Sequence, residues 1–180
     1  MVVTDDDALA ERIRLQRSHG MTSLSYDRHK GHAFSYDVVQ LGYNYRIDEI
    51  HAALGLTQLE KLARNNTRRR ELTYAYWKAL KPLGVGLPFS QTEQGLPSYH
   101  IFPMLLPDGV NRQAFMTSLR DEGIQSSIHY PPIHAFQYYR QRYGKIDLPY
   151  TDEVSKREVT LPLYPTMSDA QLELVIAAVE

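Results

Sequence analysis

The sequence has no cysteine among its 180 residues, which excludes a disulfide framework and a thiolate metal site. It also lacks an apolar run near the roughly 20 residues that span a bilayer, and the basic-then-apolar layout of a signal peptide. An excess of one charge is missing as well, because 20 Lys and Arg residues face 21 Asp and Glu residues. We therefore expect no binding to nucleic acid or membranes, and we predict a cytoplasmic protein.

The chain does contain enough apolar residues to form a core. Hydrophobic residues make up 43% and charged residues 23% of the sequence, which predicts a globular protein of one domain or one and a half. The Walker loop and the GxGxxG, GxSxG and HExxH patterns are absent from the sequence. The function must therefore be sought in less general patterns.

The first half of the chain is predicted to be mainly helical. The β-branched run at residues 1–4 suggests a strand whose partners lie outside the chain, followed by a helix with an Asp cap. A long loop is expected to reach about Val39. Residues 48–80 are predicted to form one helix, capped by Asp48 and about 50 Å long at 1.5 Å per residue. Spacings of three and four residues predict a buried face that contains Ile47, Ile50, Leu54, Leu59 and Leu62. The pattern resumes at Leu72, Tyr76 and Leu80, and Pro82 with Gly84 is predicted to end the helix.

The second half follows a Gly- and Pro-rich connector at residues 84–97. Apolar and β-branched content predicts strands at residues 99–106, 124–130 and 159–163. Helices are predicted at residues 111–122, 131–143 and 168–179, the first capped by Asn111 and the last by Ser168. This order predicts a small α/β layer, and the sequence shows no internal repeat.

Two polar clusters allow more than one interpretation. His129 and His134 lie five residues apart with two prolines between them, a spacing that fits no continuous helix face, so substrate contact or packing is favoured over a metal site. The run from Arg64 to Arg70 either holds phosphates or forms a solvated helix face. The second interpretation is favoured, because no aromatic stacking platform accompanies the run.

Asn44 and Arg46 stand in the segment GYNYRIDEI, at the predicted start of the long helix. A helix start offers backbone N–H groups and the positive end of the dipole, and an amide and a guanidinium beside it make a receptor for phosphate or carboxylate. The alternative is that Asn44 caps the turn and Arg46 pairs with Glu49 or another carboxylate. The pattern alone leaves both interpretations open.

Several segments in this order resemble the DegT/DnrJ/StrS family of sugar aminotransferases over nearly the whole chain: MVVTDDDALAERIRLQRSHG, GYNYRIDEIHAALGLTQLEKL, SYHIFPMLL, GIQSSIHYPPIH and LPLYPTMSDAQLE. The resemblance implies an α/β fold that is the C-terminal part of a fold-type I, pyridoxal-phosphate-dependent transferase. Residues 1–83 would be the remnant of the large cofactor-binding domain with the long interdomain helix, and residues 84–180 the small C-terminal α/β domain. The implied activity moves an amino group, usually from glutamate, onto a keto group of a nucleotide-linked sugar, in cell-surface polysaccharide or amino-sugar biosynthesis.

The resemblance also implies roles for individual residues. Family members are homodimers with active sites at the interface, so Asn44 would bind the phosphate of the neighbouring subunit's pyridoxal phosphate, with Arg46 nearby. Family positions near the substrate match His19, His129, Tyr130 and His134, whose side chains would hydrogen-bond the sugar or its diphosphate; packing is the alternative role for these residues.

The lysine that forms the Schiff base in this family is expected upstream of Met1, shortly before a strand like MVVT. None of the lysines in this chain stands in a matching motif: Lys30, Lys61, Lys78, Lys81, Lys145 and Lys156. We therefore expect no catalytic residue in this chain, an inactive fragment, and poor cofactor binding by the fragment alone. Two alternatives stay open: a lysine-free binding or regulatory module, and a sugar dehydratase that uses the same scaffold with histidine in place of lysine.

Overall fold

The computed structural model describes residues 2–22, 36–90, 95 and 97–180. The chain forms two compact units, Met1–Glu60 and Lys61–Glu180. The predicted domain boundary between residues 83 and 84 refers to the complete family fold and stays a prediction. None of the helices in the described residues is both long and apolar enough to cross a bilayer.

The first unit begins with helix α1 (Asp7–Gln16). Asp6 Oδ1 accepts a hydrogen bond from the Leu9 backbone N–H at 2.9 Å, so the predicted Asp cap is confirmed. Residues 2–4 pair with no strand of the described chain, so the strand predicted there, with partners expected outside the chain, stays a prediction. Val3 is 84% exposed there, since the described chain supplies no neighbouring strand to pair with it.

Helix α2 (Glu49–Leu80) is the long helix that the sequence predicts. Asp48 caps it, because Asp48 Oδ1 accepts from the His51 backbone N–H at 2.9 Å. Asp48 Oδ2 also lies 2.6 Å from His51 Nδ1. The backbone hydrogen bond from His51, and then the ring contact, favour the ionised carboxylate and lower the pKa of Asp48. A 3₁₀ turn (Lys81–Leu83) and Gly84, with φ of 72°, end the helix as predicted.

Only the C-terminal part of the predicted apolar face of α2 is buried. In its first half, five residues predicted on that face are exposed by 46% to 81%: Ile47, Ile50, Leu54, Leu59 and Leu62. Leu72, Tyr76 and Leu80 are buried as predicted, together with Thr73. The prediction of a buried first half is therefore wrong for this chain, because helical spacing identifies a shared face but does not supply the surface that covers it.

The elements of the second unit after α2 are, in chain order, β1 (Phe102–Leu105), α3 (Arg112–Asp121), α4 (Gln137–Tyr143), α5 (Pro149–Arg157), β2 (Glu158–Leu161) and α6 (Asp169–Val179). Strands β1 and β2 pair antiparallel, with Phe102 opposite Leu161. The caps predicted for α3 and α6 are confirmed: Asn111 Oδ1 accepts from Ala114 N at 3.0 Å, and Ser168 forms a capping box with Gln171. The core joins both strands to the helices: Leu72, Tyr76, Leu80, Phe102, Met104, Leu106, Leu119, Val159, Leu161, Met167, Leu172 and Val175.

The segment between α3 and β2 departs most from the sequence prediction. The strand expected at residues 124–130 is wrong, since it is reduced to one isolated bridge between Ser127 and Thr160. Pro131 and Pro132 follow closely and have no N–H for a longer ladder. The helix predicted at residues 131–143 is a 3₁₀ turn (Ile133–Ala135) followed by α4, and α5 was not predicted.

Candidate functional site

The turn that carries Asn44 is fixed by backbone hydrogen bonds on both sides of that residue. Tyr43 N–H donates to Gln16 O at 2.6 Å, and Tyr45 N–H donates to Arg17 O at 2.9 Å. Tyr43 O in turn accepts from the His19 N–H at 2.9 Å. Asn44 is thus bridged to Ser18 as part of a short antiparallel pairing. The structure therefore places the predicted residues His19 and Asn44 on two turns that are joined directly.

Glycine is required where these turns meet. A Cβ at Gly42 would lie 2.1 Å from Gly20 N and 2.3 Å from the His19 carbonyl carbon. A Cβ at Gly20, whose φ is 69°, would lie 1.9 Å from Gln40 O. The glycines of the RSHG and LGYN segments therefore let two backbones approach more closely than any side chain permits.

The Asn44 side chain projects away from the aromatic side of its turn. The rings of Tyr43 and Tyr45 stack with centroids 5.1 Å apart, and in an extended segment the residue between them faces the other way. Asn44 and Arg46 are both exposed. Within the described part of the chain, no hydrogen bond engages the Asn44 amide. The amide does not cap its own turn there, and it is available to a ligand.

The start of α2 is already occupied by a carboxylate. Asp48 accepts the His51 N–H, and its charge lies where the helix dipole would attract an anion. The predicted phosphate-binding roles of Asn44 and Arg46 stay predictions.

The other predicted substrate residues meet in the second unit. His129, Tyr130 and His134 line one cleft of about 820 Å³, within the size range of small-molecule sites. His129 also lines a second cleft of about 650 Å³. Tyrosines and aliphatic side chains make up much of the first cleft, including Tyr139, Tyr143, Ile146, Leu148 and Tyr150. No arginine or lysine of the described chain lines it.

Each of the two histidines is bound to specific partners. His134 Nε2 lies 3.0 Å from Asp152 Oδ1, and the His134 side chain is only 11% exposed. His129 Nδ1 lies 2.9 Å from Thr160 Oγ1, and His129 N–H donates to Glu158 Oε2 at 2.9 Å. Glu158 and Thr160 are buried, and sequence reasoning did not single them out. Thr160 lies in the predicted strand and Glu158 directly precedes it, so their spacing of two residues was the available signal.

The arginine-rich run of α2 makes intramolecular contacts. Arg68 donates to Met167 O at 2.9 Å and to Asp169 Oδ1 at 2.6 Å. Arg69 donates to Ser98 O at 2.9 Å. These contacts tie α2 to other parts of the second unit, and they favour a structural role for the run over phosphate binding. No group of three or more His, Asp or Glu side chains in the described residues is placed to hold a metal ion.

A helix-covered antiparallel sheet, together with an exposed amide at the start of a long helix, defines an α/β protein with a candidate anion site. The chain belongs to the DegT/DnrJ/EryC1/StrS aminotransferase family, whose model matches residues 1–180.

Solved structures of similar fold include sugar aminotransferases. PseC of Helicobacter pylori, an aminotransferase involved in the biosynthesis of pseudoaminic acid, matches with 28% identity and a TM-score of 0.86. The sugar aminotransferase CalS13 of Micromonospora echinospora matches with 30% identity and a TM-score of 0.81. Both matches cover 98% of this chain and 46% of the other. The PLP form of the putative sugar aminotransferase Spr1654 from Streptococcus pneumoniae shares the fold, with 24% identity, a TM-score of 0.83, and coverage of 98% and 43%.

The chain thus spans less than half the length of these solved proteins. The predicted family is confirmed. So is the predicted α/β fold class, since the match over about 45% of each relative is consistent with a C-terminal part of this transferase fold.

Proposed function

We propose that the chain is part of a pyridoxal-phosphate-dependent enzyme that transfers an amino group, usually from glutamate, to a keto group of a nucleotide-linked sugar. The family match over residues 1–180 carries this proposal. The setting that we propose is the cytoplasm, in the biosynthesis of amino sugars or cell-surface polysaccharides.

The residues at the GYNYR turn fit the phosphate of the cofactor. An anion needs donors that are not already satisfied, and the exposed Asn44 amide on its fixed turn meets this requirement within the described chain. Arg46, two residues on and also exposed, adds a guanidinium. When bound, pyridoxal phosphate supplies a reactive carbonyl and an electron-accepting ring. Asn44 and Arg46 would hold its phosphate, and we propose that they do so for the neighbouring subunit.

The lysines in the described part of the chain do not resemble a Schiff-base residue. Lys61, Lys78, Lys81, Lys145 and Lys156 are all exposed. A lysine that reacts with a carbonyl at neutral pH is usually desolvated or placed beside another cation, which lowers its pKa. We therefore propose that the reactive lysine belongs to another part of the protein and that this chain alone is inactive.

The cleft of the second unit suits the sugar part of the substrate better than its diphosphate. Diphosphates are bound by arginine and lysine, and neither lines this cleft among the described residues. Its tyrosines offer apolar ring faces together with hydroxyl groups. We propose that His129, Tyr130 and His134 contact the sugar. For His19, which lies in the first unit, a substrate contact is a separate proposal.

A homodimer is the assembly that we propose. Leu41 is 78% and Tyr45 71% exposed, close in sequence to the exposed apolar residues at the start of α2. Exposed apolar patches of this kind mark surfaces that another chain covers. An interface here would lie beside Asn44, as a phosphate ligand acting across subunits requires.

The proposal is tested by Asn44→Ala in the complete enzyme. A lost hydrogen bond to a charged phosphate costs about 1.5 to 3 kcal/mol, so cofactor retention should weaken about tenfold to a hundredfold. Asn65→Ala, at a half-buried position of α2, is the matched control and should leave retention unchanged. Equilibrium dialysis against pyridoxal phosphate measures both variants, and equal retention by wild type and Asn44→Ala would contradict the assignment.

Mixed dimers test whether Asn44 acts in the active site of the neighbouring subunit. Subunits with Asn44→Ala are combined with subunits that lack the reactive lysine, and each mixed dimer then has one site with both residues intact. About half the wild-type activity per dimer should return, although each parent is impaired. If verified subunit exchange restores no activity, Asn44 acts within its own subunit or only shapes the turn.

A further inference from the structure

Strand β2 carries a buried polar pair on the face opposite to its core residues Val159 and Leu161. Glu158 and Thr160 are two residues apart in the strand, so their side chains point to the same face. They are only 6% and 5% exposed. Thr160 is fixed by Ser127, with Thr160 N–H donating to Ser127 O at 2.8 Å and Ser127 N–H donating to Thr160 O at 3.1 Å. This pairing brings the chain that follows Ser127 to the polar pair.

A continuous chain of hydrogen bonds joins the pair to His129. Glu158 Oε2 accepts from the His129 backbone N–H at 2.9 Å, and Glu158 Oε1 accepts from the Thr160 hydroxyl. Thr160 Oγ1 lies 2.9 Å from His129 Nδ1. Among the described residues, no cation forms an ion pair with the buried Glu158 carboxylate, so these donors are what compensate its burial.

The direction of this chain determines which ring nitrogen carries the proton. A carboxylate only accepts, so the Thr160 hydroxyl proton is committed to Glu158. Thr160 Oγ1 can then only accept from the ring, which places a hydrogen on His129 Nδ1. We propose that Glu158 and Thr160 are positioning residues that hold neutral His129 in its Nδ1–H form and so present Nε2 as an acceptor to a ligand hydroxyl.

In His134 the other ring nitrogen carries the hydrogen. Its Nε2 faces the Asp152 carboxylate at 3.0 Å, so Nε2 carries the hydrogen there. Nε2 of His129, by contrast, has no hydrogen-bond partner in the described part of the chain, and His129 lines both clefts. An acceptor nitrogen suits a sugar hydroxyl and repels a phosphate oxygen. This identification of the ligand group rests on the proposed function, whereas the position of the ring proton does not.

The ring proton is measured by long-range ¹H–¹⁵N correlation spectroscopy on the ¹⁵N-labelled chain at pH about 8.5, well above the value at which a free histidine ionises. His129 should show a pyrrole-type Nδ1 and a pyridine-type Nε2, and His134 the reverse. His129→Asn and His134→Asn assign the signals. A pyrrole-type Nε2 on His129 in the wild-type chain would overturn the proposal.

Substitutions at Thr160 distinguish the effect of losing its hydroxyl from an effect on the fold. Thr160→Val keeps the shape but loses the hydroxyl, so the hydrogen of His129 should move to Nε2, as is usual for free histidine. Thr160→Ser restores the hydroxyl and should restore the Nδ1–H form. His134 should be unchanged in both variants, which verifies folding around the cleft. An unchanged His129 signal in folded Thr160→Val would overturn the proposal.

Glu158→Gln gives a second, independent test. The oxygen of the substituted side chain is expected to keep the His129 N–H, so its amide N–H₂ would donate to Thr160 Oγ1. The Thr160 hydroxyl would then donate to His129 Nδ1, and the ring hydrogen should move to Nε2. Retention of the Nδ1–H form in this variant would overturn the role of the carboxylate.

The ligand part is tested in the complete enzyme. Thr160→Val should raise KM for the keto sugar nucleotide about threefold to tenfold, the effect of one neutral hydrogen bond. The half-reaction with the amino donor should keep its rate. A sugar KM that stays at the wild-type value would overturn the ligand assignment, while the spectra would still decide the position of the ring proton. Absence of any aminotransferase activity in the wild-type enzyme would contradict the proposed function and leave the spectral result standing.

Discussion

Replacing Tyr76 by Phe should destabilise the second unit by about 1 to 2 kcal/mol. Tyr76 is fully buried, and its hydroxyl donates to Pro162 O at 2.9 Å. Its ring packs on Phe102 with centroids 4.5 Å apart. The substitution keeps the ring packing and removes only the hydroxyl. Pro162 is half-buried, so its carbonyl recovers some hydration, which keeps the loss in the lower part of the range for an unsatisfied acceptor.

Urea unfolding of the chain, followed by circular dichroism and by the fluorescence of Trp77, measures this effect. Tyr150→Phe is the matched control, because Tyr150 is 88% exposed and surface substitutions usually change stability by less than about 0.5 kcal/mol. The midpoint of Tyr76→Phe should fall while that of Tyr150→Phe stays. Equal midpoints for all three proteins would show that the Tyr76 hydroxyl makes no net contribution to the core.

The stability difference between wild type and Tyr76→Phe should also depend on pH. Burial, and to a smaller extent the charge of Tyr164, raises the pKa of Tyr76 above its ordinary value. In the unfolded chain Tyr76 ionises near pH 10, whereas in the folded chain it stays neutral at that pH. Its contribution to stability is therefore complete below pH 10 and is lost as pH rises, by at most about 1.4 kcal/mol per pH unit. The advantage of wild type over Tyr76→Phe should shrink above pH 10, and a constant difference from pH 9 to 11 would refute the argument.

Two further predictions concern the candidate site and the lysines. Gly42→Ala places a Cβ 2.1 Å from Gly20 N, so it should lower the free energy of unfolding in urea by about 1 to 3 kcal/mol and weaken cofactor retention in the complete enzyme. The control Gly55→Ala places a Cβ with no atom within 4 Å, so it should not destabilise the chain. An equal loss of stability in both variants would contradict the close approach at Gly42. The chain mixed with pyridoxal phosphate and borohydride should show no stoichiometric labelling of a unique lysine by mass spectrometry, and such labelling would refute the assignment of the reactive lysine to another part of the protein.

Local signals predicted the starts of α2, α3 and α6, because a helix start depends on nearby residues, whereas α5 was not predicted. Asp48, Asn111 and Ser168 each accept a backbone N–H from the first turn of the helix that they precede. The strand predicted at residues 124–130 failed, since a strand depends on partners distant in sequence and only Ser127 found one. The prediction of a buried first half of α2 failed for the same reason, as the surface that would cover it is not specified by its own spacing.

The candidate site was predicted in part. Motif resemblance identified His129 and His134, and the structure brings both to one cleft. It did not identify Glu158, which in the sequence is an ordinary charged residue beside a strand. Its importance comes from burial and from the approach of His129, and both are set by the Ser127–Thr160 bridge across 33 residues of sequence.

The structure also separates two roles that the sequence left open at the start of α2. A capping residue must accept a backbone N–H, and Asp48 does so at 2.9 Å. Asn44 is exposed, is joined to Ser18 by a bridge, and has an amide that bonds no described residue. Building this turn requires two close glycine contacts, at Gly20 and Gly42, yet the side chain that the turn presents has no contact of its own. The Asn44 amide, unbonded within the described chain and beside a separate helix cap, is the observation that supports the proposed ligand role of this residue.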